Sequence, residues 1–523
     1  MKKNNINHIL RSFEPVHFSA SQVELPEAIS AALPHLKSAF DAVHRVFLLQ
    51  QGEEYASDIM EKERNTDEMG EFYRRFQGPW YPVEDYRSYD PQVPDRRRGC
   101  SFYPEDLTAA EFHEYVESLE QRGEEGHKLR EELESPTTLL GRDSDGLRAI
   151  PYHQAYAEEM GEVFEELEKA ADILQDGGRE ELADYLRLRA EALVTGAYRE
   201  ADSRWVELQD AELEVVLGPY EVYSDGLLGR KAMYEGFLLA VDRERSGRLK
   251  EIEGHLPALA EFFPKPAGSK GAVGGLAPMI VAWELYNAGE ARQPIYPAAF
   301  NLPNDSWVRG NVGWKQVMIY NVMQAKFKTA TGPIARRLLS DGEEASFEPF
   351  FYEVVLHELS HGLGPAYRAD GSEVDASLGT YYSILEEAKA DTGGLSYLLE
   401  HGGKYGIPEF ETEEVLRSYL AAQFRSMRFG IQEAHGAANL IEYNWMLDRG
   451  GFRREGGRHV IDAEKGRQGI KDLLHELCRL QAEADEQEAG AFIARWARAD
   501  DELVKIIESL SDLPIDVFLE FEL

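Results

Sequence analysis

The segment FYEVVLHELSHGLG places two histidines, His357 and His361, four residues apart in an apolar setting. Residues i and i+4 of an α-helix lie on the same face, so both imidazoles point the same way. This spacing supplies two ligands of a tetrahedral site, for which zinc is the typical ion. Glu358 lies about 100° around the helix from His357, where it reaches a water at the metal and not the metal itself. The segment therefore predicts a metal-binding helix with a general base beside the ligands.

A catalytic zinc site takes a third protein ligand and leaves one position open for water. One helix downstream, YYSILEEAKADTGGL offers three carboxylates, Glu386, Glu387 and Asp391. Adjacent carboxylates point in different directions, so only one of the glutamates can ligate. Asp391 follows Glu387 by one helical turn, where it is placed to accept a hydrogen bond from the outer ring nitrogen of a ligating histidine. The competing interpretation is that these acids only favour the first turn of a helix.

The length of 523 residues exceeds what one hydrophobic core normally supports, so two lobes with a cleft between them are expected. Amphipathic periodicity predicts mostly helix in the first 200 residues, and β-rich runs near 205–245 predict a small sheet or barrel. The segment PKPAGSKGAVGGLAP, which starts at Pro264, is rich in Gly and Pro and predicts a connection between lobes. Periodicity predicts that helical runs follow it, at Trp314–Ala330, Phe347–Leu363, Tyr381–Glu400, Glu411–Met427, Gln432–Leu447 and Ile470–Ala497.

These patterns predict an α+β fold of two lobes with the active site in the cleft between them. The lower lobe is expected at 1–263, and the β-like C-terminus at 505–523 is expected to return to it. The second lobe, at 264–504, is expected to be mostly helical and to carry the zinc site.

The chain has 56 Lys and Arg residues against 95 Asp and Glu, a formal net charge of −39. This charge repels nucleic acids and anionic membrane surfaces. Only two cysteines are present, Cys100 and Cys478, and no apolar run is long enough for a signal peptide or a membrane span. The composition predicts a cytoplasmic protein without a nucleic-acid or membrane partner.

Several motifs resemble the dipeptidyl peptidase III family of zinc exopeptidases. EEAKAD is similar to the family's Glu-Glu-x-Arg/Lys-Ala-Glu/Asp segment, whose second glutamate is the third zinc ligand. The resemblance makes Glu387 the ligand and places Glu386 and Asp391 behind the ligands. One departure is that the best-known members have two histidines five residues apart, whereas HELSH has the shorter spacing of another branch. The departure leaves zinc binding intact but bears on rate and substrate preference.

Three further segments resemble this family. GPYEVY is similar to its Gly-x-x-Glu-x-Tyr strand, which assigns the substrate's free amine to Glu221 and a part in the reaction to Tyr223. NLPN is similar to its Asn-x-x-Asn pair, here Asn301 and Asn304, which binds the backbone of the first substrate residues. EAH is similar to its Ala-His segment, whose histidine, here His435, stabilises the transition state. Without the resemblance, ordinary strand, turn and packing roles are the simpler interpretations.

The resemblance implies an exopeptidase with one Zn²⁺ per chain that releases dipeptides from the N-termini of short peptides. Glu358 would act as general base on a zinc-bound water, and Tyr223 and His435 would stabilise the oxyanion. Two alternatives stay open: a zinc hydrolase of other specificity, such as an endopeptidase or amidase, and a peptide-binding protein with a structural zinc. The presence of Glu358 argues against the binding protein, which has no use for a general base. The presence of Glu221 and the asparagine pair argues against the other hydrolases.

Overall fold

The structure is a computed structural model that describes residues 6–144, 146–266, 269–271, 278–431 and 433–523. The chain forms two compact units. Unit 1 comprises Met1–Arg243, Ile280–Val322 and Val517–Leu523. Unit 2 comprises Glu244–Met279 and Met323–Asp516. The segment predicted to connect the lobes lies largely outside the described residues, at 267–268 and 272–277.

The units are interleaved along the chain, whereas the sequence predicted consecutive lobes at 1–263 and 264–504. The sheet of unit 1 is the reason. Its strands Met279–Gly289, Ala299–Leu302 and Lys315–Ile319 come from the second half of the chain and join strands from the first half. Backbone hydrogen bonding between strands thus ties the later segment to unit 1, which local sequence patterns do not reveal.

Five strands form this central sheet of unit 1. Their spatial order is Ala299–Leu302, Lys315–Ile319, Met279–Gly289, Tyr234–Val241 and Leu213–Pro219. The last two strands pair antiparallel, as do the first two. Both strands of the pair that starts at Leu213 are almost wholly buried and rich in Val and Leu, which suits a sheet covered on both faces. The β structure predicted for 205–245 is thus confirmed as part of an open sheet.

The strand Lys315–Ile319 corrects the prediction of helix over Trp314–Ala330. Helix begins only at Tyr320. The buried ammonium group of Lys315 lies 3.0 Å from a carboxylate oxygen of Glu214, a residue of the strand Leu213–Pro219. Tertiary pairing of this kind overrides local periodicity.

The remaining secondary structure of unit 1 is mostly helical. Its helices are Ile6–Arg11, Glu27–Gly52, Ala56–Lys62, Glu68–Phe76, Ala109–Leu119, Gly123–Glu134, Tyr152–Ala155, Ala157–Asp176, Glu180–Thr195, Tyr198–Glu207 and Ser306–Asn311. Its two-stranded sheets pair Phe13–Ser19 with Asp516–Glu522, Trp80–Tyr81 with Arg87–Ser88, and Thr138–Asp143 with Gly146–Pro151. The C-terminal strand therefore pairs with a strand near the N-terminus.

Unit 2 is built mainly from helices. Those wholly or mostly within it are Arg243–Gly254, Leu256–Phe262, Tyr320–Lys326, Gly332–Leu338, Phe347–Ser360, Val374–Leu378, Tyr382–His401, Thr412–Met427, Ala434–Arg449, Ala463–Glu483, Glu486–Trp496 and Asp501–Glu508, with a π-helical turn at Phe327–Thr331. Its short strands pair Lys270–Gly271 with Pro365–Tyr367 and Phe452–Glu455 with Arg458–Ile461. The predicted α+β class is confirmed.

Among the described residues, no helix has both the length and the apolarity that a bilayer span requires.

Two helices of unit 2, Phe347–Ser360 and Tyr382–His401, approach each other closely at Gly394. A Cβ at this position would lie 2.8 Å from the backbone nitrogen of His357 and 2.8 Å from the carbonyl carbon of Leu356. Glycine therefore permits direct contact of the two backbones. This contact brings EEAKAD beside HELSH.

Candidate metal centre

Three potential ligand atoms converge between these two helices. The Nε2 atoms of His357 and His361 are 3.0 Å apart. Oε2 of Glu387 lies 3.4 Å from the first and 3.8 Å from the second. Bonds of about 2.0–2.1 Å to a tetrahedral zinc would separate ligand atoms by roughly 3.3 Å, so the spacing fits this ion.

The outer ring nitrogens show which atoms of the histidines remain available. Nδ1 of His357 lies 2.6 Å from Oδ1 of Asp391, and Nδ1 of His361 lies 3.3 Å from Oε1 of Glu386. Ionised carboxylates only accept hydrogen bonds, so each Nδ1 is the donor, and in the neutral form of each ring Nε2 carries a lone pair. Two lone pairs at 3.0 Å repel each other unless a proton or a cation lies between them. The donor set therefore fits a metal ion.

The pKa of His357 in the metal-free chain reflects the same preference for positive charge. Burial lowers this pKa, but the carboxylates of Asp391, Glu358 and Glu387 raise it to about 9. Glu358, the next residue of the same helix, is half-buried. A cation at this place is surrounded by groups that stabilise it.

Two residues behind the centre were not found by sequence reasoning. Lys389 donates to Oε1 of Glu386 at 2.7 Å and to the carbonyl of Leu363 at 2.6 Å, and Gln481 donates to Oε2 of Glu386 at 2.8 Å. Burial raises the pKa of Glu386, but Lys389 and His361 lower it to about 2. Glu386 is thus held as a carboxylate. Lys389 follows Glu386 by three residues, a spacing that suits an ion pair on one face of a helix. This spacing is the sequence signal that could have found Lys389.

His435 stands beside the ligand group as well. It lies in the first turn of the helix Ala434–Arg449, and its Nδ1 is 3.0 Å from Oε2 of Glu387. Its side chain is 65% exposed, and the hydrogen bond with Glu387 raises its pKa. Unit 2 therefore brings together all of its sequence-predicted site residues. These are His357, Glu358, His361, Glu386, Glu387, Asp391 and His435.

The other predicted site residues belong to unit 1, where they line one cavity of about 730 Å³. The side-chain amide of Asn304 donates to Oε1 of Glu221 at 3.1 Å. Oδ1 of Asn301 accepts from the guanidinium of Arg309 at 3.2 Å. The side chain of Tyr223 is largely exposed. The four residues named from the family motifs thus share one surface of unit 1.

Two more carboxyl groups line this cavity, Glu235 and Glu290. Burial raises the pKa of Glu235 well above its usual value and that of Glu290 to about 7, while the Ser224 hydroxyl donates to Glu290. Together with Glu221 they make an acidic cavity, a name we keep for this site. A glutamate inside the apolar strand Tyr234–Val241 is the sequence signal that could have found Glu235.

Comparison with known proteins gives matches along nearly the whole chain. A family model, "Peptidase family M49", matches residues 145–374. The structure of DPP III from Caldithrix abyssi is 30% identical and superposes with a TM-score of 0.91, covering 98% of each chain. That of dipeptidyl-peptidase III from Corallococcus sp. strain EGB is 29% identical with a TM-score of 0.77, covering 99% of this chain and 97% of the other.

A curated relative, Nudix hydrolase 3 of Arabidopsis thaliana, is 30% identical over 449 residues. The match covers 81% of this chain but only 58% of that longer protein. The family resemblance predicted from the motifs is confirmed by the solved structures and the family model. The chain belongs to the dipeptidyl peptidase III family, peptidase family M49.

Proposed function

We propose that the chain is a zinc-dependent exopeptidase that releases dipeptides from the N-termini of short peptides. The observation that carries the proposal is the convergence of two imidazole Nε2 atoms and the Glu387 carboxylate, with Glu358 next to the first ligand. Membership of a peptidase family supports a peptide bond as the target.

Bound at these atoms, zinc would polarise the scissile carbonyl and lower the pKa of a water to about 7. The Glu358 carboxylate takes a proton from the attacking water and passes it to the nitrogen of the leaving amine. Asp391 and Glu386 keep the two ligand rings in their Nδ1–H form.

The developing oxyanion needs donors. We assign this role to the Tyr223 hydroxyl and the His435 ring. The raised pKa of His435 suits a donor, since it favours the protonated imidazole.

The acidic cavity supports the choice of an exopeptidase. A free N-terminus carries a positive charge, and Glu221 is assigned to bind it. Asn301 and Asn304 are assigned to the backbone of the first two peptide residues. Anchoring the amine defines how many residues precede the cleaved bond, and the carboxyl oxygens of the nearby Glu235 and Glu290 are further hydrogen-bond acceptors beside the anchor.

The first test is zinc content and hydrolysis of dipeptidyl arylamides by the parent and by Glu358→Gln. We expect the variant to keep its zinc and to lose about 10²–10⁴-fold in kcat, because the proton acceptor is gone. Glu476→Gln is the matched control, since HELCR has Arg479 where the second ligand stands in HELSH. The control should hydrolyse like the parent. Undiminished turnover by Glu358→Gln would refute the mechanism.

The second test is Glu221→Ala with unlabelled peptides, read by mass spectrometry. We expect a raised KM and a less regular cleavage position, because the amine loses its anchor. Regular dipeptide release by this variant would refute the exopeptidase assignment and leave a zinc hydrolase. A parent that binds zinc and cleaves no peptide would favour the binding protein with a structural zinc.

A further inference from the structure

A chain of hydrogen bonds leads from His357 into the interior of unit 2. Oδ1 of Asp391 accepts from the His357 ring at 2.6 Å, and Oδ2 of Asp391 accepts from the side-chain amide of Asn439 at 3.1 Å. The same amide nitrogen lies 3.1 Å from Oε2 of Glu442. Because this nitrogen carries two hydrogens, one asparagine links two carboxyl groups.

Glu442 is held from several sides. Its side chain is fully buried in the helix Ala434–Arg449. Besides Asn439, its Oε2 accepts from the Tyr419 hydroxyl at 2.8 Å and from the Gln423 amide at 3.1 Å. These two donors lie one turn apart on the helix Thr412–Met427, so they fix the carboxyl group against a second rigid element. Burying a carboxyl group costs free energy, which packing alone does not offset.

Burial and the neighbouring Asp391 raise the pKa of Glu442 well above its usual value. Within the described part of the chain, Oε1 of Glu442 has no hydrogen-bond donor. The Asn439 amide, which bonds both carboxyl groups at 3.1 Å, is the structural link from Glu442 to Asp391.

We propose that Glu442 is a positioning residue of the metal centre, which holds Asp391 and thereby keeps the His357 ring with Nε2 directed at the other ligands. This inference rests on the zinc site proposed above. A carboxylate bound by a histidine and by an asparagine that is itself bound to Glu442 is restrained from rotating, and so is the ring that donates to it. His435, Asn439 and Glu442 follow each other at four and three residues, which places all three on the face of their helix that faces the centre.

The test measures the zinc dissociation constant of the full chain by competition with a chelator. Glu442→Leu removes the carboxyl group at similar size, and we expect about 10–100-fold weaker zinc binding. Glu442→Gln keeps the shape, an acceptor for the three donors and a donor for Asp391. We expect its zinc affinity to remain near that of the parent, which a merely ionic role for Glu442 would not allow.

Tyr443→Phe is the matched control. Tyr443 is the next residue of the same helix, and its buried hydroxyl bonds Nε2 of His459 at 2.6 Å, away from His357. This variant loses a buried hydrogen bond and should unfold at a lower temperature, but its zinc affinity should not change. Asn439→Ala serves as a second cut in the chain of hydrogen bonds if Glu442→Leu does not fold. It should weaken zinc binding to a similar degree.

Parent-like zinc affinity in Glu442→Leu or Asn439→Ala would overturn the inference. So would an equal loss of affinity in Tyr443→Phe, since that would point to general destabilisation. A parent chain that binds no zinc would instead refute the proposed function and this inference with it. The two failures are therefore distinguishable in one series of titrations.

Discussion

The metal centre of unit 2 takes its ligands from two neighbouring helices, whereas the acidic cavity of unit 1 collects Glu221, Glu235 and Glu290 from separate segments around a sheet. Helical spacing brings two imidazoles together without help from the rest of the chain. In the cavity, the register of two strands brings the carboxyl groups together. Glu235 lies opposite Gly289, so Glu290, the next residue after Gly289, comes close to Glu235. Local periodicity determines one site, and strand pairing determines the other.

The two sites also differ in how their carboxylates are satisfied. Behind the metal ligands, Glu386 and Asp391 each accept two or more hydrogen bonds. In the acidic cavity, Oε1 of Glu235 and Oε2 of Glu290 have no partner among the described residues. The carboxylates behind the ligands are held in place by donors, whereas these two cavity oxygens are buried without a described donor.

Removing a metal ligand from the centre of unit 2 is expected to have the largest effect on activity. With His361→Ala we expect zinc content to fall from one ion per chain to nearly none and hydrolysis to be lost. The metal-free variant should melt close to the metal-free parent, because the His361 side chain is 33% exposed. Metal analysis, an arylamide assay and thermal unfolding check this. Full zinc occupancy in the variant would contradict the ligand assignment.

Equivalent buried lysines let the two units be compared by the same substitution. Lys315→Met leaves the Glu214 carboxylate buried without its partner, and Lys389→Met does the same to Glu386. We expect each to cost about 3–5 kcal/mol in the free energy of unfolding. Only Lys389→Met should also weaken zinc binding, by about 10–100-fold. Urea unfolding and chelator competition measure the two effects, and equal loss of zinc affinity in both variants would contradict the separation of roles.

Glycines test how far each unit depends on close backbone contact. At Gly394 an added Cβ would press on the helix that carries His357, so Gly394→Ala should cost about 1–3 kcal/mol of stability and weaken zinc binding. Gly161 lies in the helix Ala157–Asp176 of unit 1. A Cβ added there would meet no described side chain, and no backbone outside its own helical turns, within 4 Å. Gly161→Ala should stabilise by about 0.5–1 kcal/mol. Thermal unfolding and zinc titration distinguish the pair.

A further expected effect is the pH dependence of stability that arises from Glu290. Its pKa is about 7 in the folded chain, above the ordinary 4.5, so its contribution to stability is fully present below pH 4.5 and is lost as pH rises through 7. Glu290→Gln removes this loss. Relative to the parent, we expect the variant to gain about 3 kcal/mol between pH 4.5 and 8, because one pKa unit corresponds to about 1.4 kcal/mol. Urea unfolding at both pH values is the measurement, and a constant difference would contradict the raised pKa.

Much of the helical part was predictable because amphipathic periodicity is local. The predicted helix Glu411–Met427 is found as Thr412–Met427, and the predicted Tyr381–Glu400 as Tyr382–His401. The strand Lys315–Ile319 was predicted as helix, which was wrong. The burial of its lysine and its pairing in the sheet depend on residues that are distant in the sequence. The β region was thus anticipated in kind but not in its extent along the chain.

The sequence by itself determined that the chain carries HELSH on an apolar helix and EEAKAD on the next one, because ligand spacing follows from helix geometry. The tertiary structure decided the rest. Gly394 lets the two helices touch, Lys389 pairs with Glu386, and Asn439 links Asp391 to the buried Glu442. These contacts join side chains that are distant in sequence, and their energies depend on burial, which arises only when the helices pack.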